Sequence, residues 1–261
     1  MKIGLALGSG AMRGLAHIGV LQVLEREHIP IDVITGTSMG AVIAGAYASG
    51  RGGLELEEIV RSVQEMRYFD FTVPKDGMIS GKRAHKFMSQ LTCHKTFAQT
   101  RIPCAMVATD LSNGEEVVLT DGLLGDAIRA SISIPGIFVP VKYPINADED
   151  TQQRTLVDGG MVNRVPVNTA RMLGADYVIA VDVGYRGETI ETSGLLNIFV
   201  HALDIMEWEV TREKVNTADV LIVPDVREFN PALVSHSAES IARGREAARA
   251  ALPEIMKLIN A

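Results

Sequence analysis

Short apolar runs that do not alternate with polar residues recur along the chain, at KIGLALG (2–8), IDVITG (31–36), IPCAMVATD (102–110), YVIAVDV (177–183) and DVLIVPDV (219–226). A strand with one wet face alternates, so these runs predict strands covered on both faces. Between them the period becomes helical. GLAHIGVLQVLERE (14–27) sets Leu15, Ile18, Leu21, Val23 and Leu24 on one broad apolar face, and 238–260 does the same with Ile241, Ala248, Leu252, Ile255 and Ile259. A charged helix is expected at about 54–65 and a basic one at about 82–92. Strand and helix alternate, which predicts an α/β fold with a mainly parallel sheet. Two stretches break the rhythm. MRYFDFTVPKDGMISG (66–81) has no clean period, and NADEDTQQR (146–154) reads as a polar loop between the strands FVPVKY and RTLVDG.

Composition adds limits to this pattern. With 261 residues, 47% of them hydrophobic, the chain can bury a large core, and without repeats or low-complexity linkers it is expected to form a single domain over 1–261. The net charge of −7 comes with no basic stripe, which argues against nucleic acid as a partner. No apolar run reaches the length of a membrane span, and the first residues lead directly into strand and glycine loop, so a cytoplasmic location is expected. Cys93 and Cys104 fit neither a disulfide framework nor a metal motif, and no clustered His, Cys or carboxylate spacing calls for a metal or cofactor.

The chemistry begins at ITGTSMGAVIAGAYASG (34–50). Gly36-Thr37-Ser38-Met39-Gly40 has the spacing of a nucleophile elbow, in which a sharp strand-to-helix turn holds the central serine in strained geometry and the flanking glycines admit close backbone. The same serine is also a plain candidate for a helix N-cap. A second glycine cluster, LGSGAMRGLAHIG (7–19), follows the first strand, where Gly8, Gly10 and Gly14 open a helix and aim backbone N–H groups at an anionic oxygen. Its spacing of two and four misses the dinucleotide fingerprint. An unassisted serine is a weak nucleophile and needs a base. None of His17, His28, His85, His94, His201 and His236 sits in a late strand-end loop, and each reads more simply as a packing or surface residue. A desolvated carboxylate is the alternative base. Asp158, before Gly159 and Gly160 in TLVDGGMVNRVPV, is the leading candidate, although Asp110, Asp182 and Asp225 also end strands and spacing does not choose among them.

Taken together, GSGAMRG with LAHIGVL behind it, GTSMG, ASISIPGIFVPV (130–141) and DGG (158–160) resemble, in order, the patatin-like phospholipase family. The resemblance spans residues 4 to about 183. It implies a three-layer α/β/α sandwich and a Ser38–Asp158 dyad in place of a triad, with Gly10 and Ala11 N–H groups and Arg13 at the oxyanion. It further implies a lipid ester substrate, no cofactor, and transient contact with a membrane surface. The 66–81 stretch then reads as a lid whose Tyr68, Phe69 and Phe71 shield an acyl pocket, or as an ordinary packed loop. A thioesterase or peptidase on the same dyad, or a regulatory member without activity, stays open. Relatives commonly carry glycine where this chain has Ala11, which is strained by about 1 kcal/mol or more if that position requires positive φ. Oligomeric state is not legible.

Overall fold

The computed structural model describes residues 1–63, 77–146, 149–187, 194–229 and 236–260. Its strands are β1 (Ile3–Leu7), β2 (Val33–Thr37), β3 (Cys104–Asp110), β4 (Glu116–Leu119), β5 (Val141–Asn146), β6 (Glu149–Asp158), β7 (Tyr177–Val181) and β8 (Val220–Ile222). They form one sheet in the order β5-β6-β3-β2-β1-β7-β8, with β4 also paired to β3. The five apolar runs are the parallel strands β1, β2, β3, β7 and β8; β4 and β6 run against them, and β5 joins the sheet by an antiparallel pairing with β6. The helices are α1 (Ala16–Arg26), α2 (Met39–Ser49), α3 (Gly53–Val63), α4 (Lys82–Leu91), α5 (Leu124–Ser131), α6 (Val167–Met172), α7 (Leu195–Val215) and α8 (Ser237–Ile259).

The parallel strands are sorted by side-chain size into two faces. Ile3, Leu5 and Leu7 of β1, with Ile179 and Val181 of β7, enter a large core shared with α1, α2, α5 and α8. Their neighbours Ala6, Val178 and Ala180 enter a smaller core with Val167 and Ala170 of α6 and Val215 of α7. Both faces are therefore covered, as unbroken apolar runs require, and the layers are helix, sheet, helix. The small residues set the spacing on the second face, where a methyl on Gly4 would come within 2.7 Å of the Ala175 side chain.

Two expectations are corrected. The 146–154 stretch is mostly strand, since β6 begins at Glu149 and pairs with β5 through Asn146↔Glu149 across a register shift, and through Pro144↔Gln153 and Tyr143↔Arg154. Ladder hydrogen bonds are open to polar residues, and a hairpin at the sheet edge needs no second apolar face, so polarity alone misread it. DVLIVPDV yields only the three residues of β8, because Pro224 has no N–H with which to continue the ladder. Of the proposed lid, residues 66–76, including Tyr68, Phe69 and Phe71, lie outside the described residues; Ile79 forms a parallel bridge with Phe138.

The chain order of the sheet carries the glycine loop and the elbow to the same end, and one helix crossing fixes the first of them. α1, which follows the loop, packs on α8 through backbone: a methyl on Gly19 would lie 2.0 Å from Ile241 O, and one on Gly244 would lie 1.9 Å from Ala16 O. Gly244→Ala is expected to lower stability by about 1–3 kcal/mol, despite a gain of about 1 kcal/mol in helix propensity. Denaturant unfolding measures this, and an unchanged midpoint contradicts the crossing.

Candidate functional site

The site is assembled by two strands that end against each other. β3 pairs with β2 through Cys104–Val107 and with β6 through Ala108–Asp110, while β4 pairs with Met106–Thr109. A strand has only two edges, so β4 occupies one of them and β2 and β6 share the other. They run in opposite directions, and their C-terminal ends meet at Val107 and Ala108, where the partners are Thr37 and Asp158. That junction brings together two residues 120 positions apart, and Ser38 Oγ donates to Asp158 Oδ2 at 2.6 Å.

Ser38 has φ 55° and ψ −121°, a conformation that an L-residue adopts only when its surroundings impose it. The imposing contacts are backbone. A methyl on Gly36 would sit 2.2 Å from Gly40 O, and one on Gly40 would sit 2.1 Å from Leu7 O. The turn passes directly into α2, so Ser38 is both elbow and helix start, yet its side chain caps nothing. Thr35 and Thr37 tie β2 to the far layer by donating to Pro166 O and Asn163 O.

Asp158 is fixed at both its main chain and its side chain. Thr109 Oγ1 donates to its carbonyl, its N–H donates to Ser133 O at 2.9 Å, and Gly160 N–H donates to Oδ1 at 2.8 Å. The ASISIPG block contributes here through residues that sequence reasoning passed over: Ser131 Oγ accepts from Ser38 N–H and donates to Val107 O. Ser131 at the end of α5 and Ser133 just beyond it thus brace both members of the pair. Their spacing, i and i+2 before a proline, was the only available signal.

Burial pushes the Asp158 carboxyl up to about 6, with the charge of Asp204 adding to the rise and the hydrogen bonds from Ser38 and Gly160 opposing it. A carboxylate so placed has enough proton affinity to take a proton from a hydroxyl while staying largely ionised at neutral pH. The other strand-ending aspartates have different partners. Asp110 accepts from Ser112 within its own turn, Asp182 is paired with Arg164 at 2.7 Å, and Asp225 is paired with Arg227 at the surface.

The glycine loop lies beside this pair, since a methyl on Gly14 would meet the Met39 side chain and one on Gly10 would meet Val183. Gly8 and Ser9 N–H donate to Val181 O and Arg164 O, whereas among the described residues the Gly10 and Ala11 N–H groups have no protein acceptor. Ala11 has φ 48°, so it carries the strain that a left-handed alanine implies. Arg13 is buried; Nε donates to Phe229 O at 3.0 Å, and Nη1 lies 3.4 Å from Asp204 of α7. α7 also brings Glu207 to the site, where it accepts from Ser9 Oγ at 2.8 Å. Nothing in the sequence marks either acid, because they lie on a helix of mixed pattern beyond the last motif.

None of the six histidines bonds to Ser38 or Asp158. His17 Nε2 donates to Gly8 O at 2.8 Å and burial pushes the ring down to about 4, which keeps it neutral and binds it to the loop's first glycine. His85 pairs with Asp126, His201 meets the Tyr185 ring edge-on, and His236 stacks on Phe229. Among the described residues no three His, Cys, Asp or Glu side chains converge as a metal site. Surface cavities of about 370 Å³ near Arg186 and Asp225 and about 480 Å³ near Phe97 and Asp121 are lined by neither Ser38 nor Asp158.

A family profile described as Patatin-like phospholipase matches residues 5–171. The chain is 31% identical over 239 residues to patatin-like phospholipase domain-containing protein 6 of Mus musculus, covering 88% of this chain and 17% of that protein. It is 30% identical over 244 residues to neuropathy target esterase sws of Drosophila melanogaster, with 89% and 16% covered. An uncharacterized NTE family protein of Mycobacterium bovis is 35% identical over 185 residues, with 70% and 49% covered. The chain thus spans less than half the length of each of these relatives. VipD from Legionella pneumophila has the same fold, with a TM-score of 0.68 at 12% identity over 98% of this chain and 66% of that one.

Asp158 binds its proton more tightly in the folded chain than in the unfolded one, so the folded state holds more protons between about 4 and about 6. Stability therefore falls as pH rises through that window and stays lower above it. Asp158→Asn is expected to raise stability at pH 7 by on the order of 1–3 kcal/mol and to change it little at pH 4. Urea unfolding at the two pH values measures this; equal effects at both would contradict the raised proton affinity.

Proposed function

The chain belongs to the patatin-like phospholipase family, and on that premise we propose that it is a serine lipid acyl hydrolase working through Ser38 and Asp158. The observation that carries the reading is the 2.6 Å hydrogen bond from a strained, buried Ser38 to a buried carboxylate of raised proton affinity.

In the proposed cycle Ser38 Oγ attacks the ester carbonyl while Asp158 Oδ2 takes the hydroxyl proton. The negative charge moves from the carboxylate to the former carbonyl oxygen, where the Gly10 and Ala11 N–H groups receive it. Arg13, held by Phe229 O and Asp204, keeps this loop in place and sets a positive charge behind it. The carbon–oxygen bond to the leaving alcohol then breaks as Asp158 returns the proton to that oxygen, leaving Ser38 acylated. Water attacks the acyl group with Asp158 again accepting a proton, and collapse returns the proton to Ser38 and releases the fatty acid. No cofactor takes part.

A lipid substrate is supported by the name of the family and by the outer face of α7. Its inner face carries Asp204 and Glu207 into the site, while Ile198, Phe199, Ile205, Met206 and Val210 are exposed on the other, Met206 and Val210 by 62% and 63%. Among the described residues no helix is long and apolar enough to cross a membrane. A helix of this kind suits transient adsorption to a lipid surface by apolar contact, which an acidic protein achieves more readily than by charge.

The test is a panel of phospholipids, lysophospholipids and p-nitrophenyl acyl esters. Ser38→Ala and Asp158→Asn are each expected to lower kcat by about 10³-fold or more, with melting temperatures no lower than the wild type. The wild-type rate should rise with pH to a midpoint near 6, as Asp158 ionises. A wild type inert on the whole panel, or either variant as active as the wild type, would reject the reading.

A further inference from the structure

Glu207 touches both halves of the site without reaching the reacting atoms. It accepts from Ser9 Oγ at 2.8 Å, and Ser9 immediately precedes Gly10 and Ala11 in the glycine loop. Its carboxyl also rests on Gly160, where a methyl would lie 2.5 Å from both oxygens, so any larger residue there would push the Glu207 carboxyl aside. Gly160 is the residue whose N–H orients Asp158 Oδ1. The helix presenting Glu207 is anchored on either side of it, by Asp204 to Arg13 at 3.4 Å and by Lys214 Nζ to Val162 O at 2.8 Å.

We infer that Glu207 is a positioning residue, clamping the glycine loop and the Asp-Gly-Gly turn in one register so that oxyanion donors and base act on the same carbonyl. The inference rests on the hydrolase reading of the site. Its consequence falls on turnover rather than on substrate affinity, because displacement by as little as about 1 Å of groups that act in the transition state costs about 10²-fold in rate. The clamp works best uncharged. Around the carboxyl stand Ser9 of the loop, Asp158 at the end of β6, Arg164 after the turn and Asp204 on α7, the last of these paired with Arg13. Burial, then Asp158 and Asp204, push Glu207 up to about 8, with Ser9 and Arg164 opposing. Ionisation above that pH sets a second negative charge beside the base and beside the loop whose N–H groups receive the oxyanion. The limbs of the resulting pH profile belong to the coupled acids together.

The experiment measures kcat and KM from pH 5 to 10 on a soluble short-chain p-nitrophenyl ester for wild type, Glu207→Gln, Glu207→Ala, Ser9→Ala and the Ser9→Ala/Glu207→Ala double variant. Glutamine keeps the acceptor for Ser9 and stays neutral. It is expected to hold kcat at pH 7 within about threefold of the wild type and to abolish the fall in rate above about pH 8. Alanine is expected to lower kcat by about tenfold or more with KM within about twofold, and the double variant to be no worse than Glu207→Ala alone. A wild-type kcat in Glu207→Ala, an alkaline fall retained in Glu207→Gln, or a loss confined to KM would overturn the inference while the hydrolase reading stands. A wild type without esterase activity would overturn both.

Discussion

The architecture depends on one junction: β2 and β6, running in opposite directions along the same edge of β3, stop against each other at Val107 and Ala108. Strand ends leave backbone and side chains without ladder partners, and here the two ends supply each other. The serine after β2 and the aspartate closing β6 meet at 2.6 Å, with the end of α5 bracing both through Ser131 and Ser133. The glycines around them serve the same geometry, since Gly36, Gly40 and Gly159 each lie where a methyl would strike backbone. Rigid elements set this spacing, which is what a site requiring tolerances of a few tenths of an ångström needs.

The junction works against stability. Ser38 and Ala11 occupy left-handed φ values, Asp158 and Glu207 are desolvated acids in each other's field, and His17 is held neutral. Each such feature costs free energy that a core of ordinary residues would not. They persist because the surrounding packing over-determines them: the apolar faces of β1 and β7, and the backbone-close crossing of α1 with α8 behind the glycine loop. Strain concentrated at one end of a well-packed sheet is the usual physical signature of a reacting site.

Much of this was legible in the sequence, for identifiable reasons. The unbroken runs at 2–8, 31–36, 102–110 and 177–183 mark the central strands because burial on both faces leaves no room for polar alternation. The strained turn at Ser38 is legible in GTSMG because an elbow needs glycine at fixed offsets, and without a suitably placed histidine the sequence leaves a carboxylate such as Asp158 as the expected base. Spacing could not separate Asp158 from Asp110, Asp182 and Asp225; only the shared edge of β3 does, and pairing on a shared edge leaves no local trace. The 149–154 part of β6 was hidden by its polarity, and β8 was overread because Pro224 interrupts an otherwise apolar run. Asp204 and Glu207 were invisible for a third reason: acids on a long helix read as solvated surface until tertiary packing turns them inward.

The proposed chemistry stands or falls with Ser38 as a nucleophile activated by Asp158. Its most direct test is peptide-mapped mass spectrometry after incubation with a fluorophosphonate, which reports the reactive hydroxyl without assuming a substrate. One adduct per chain is expected, on Ser38, formed about 10²-fold more slowly or not at all in Asp158→Asn. An adduct on another residue, no adduct in the wild type, or labelling of Asp158→Asn at the wild-type rate would contradict it.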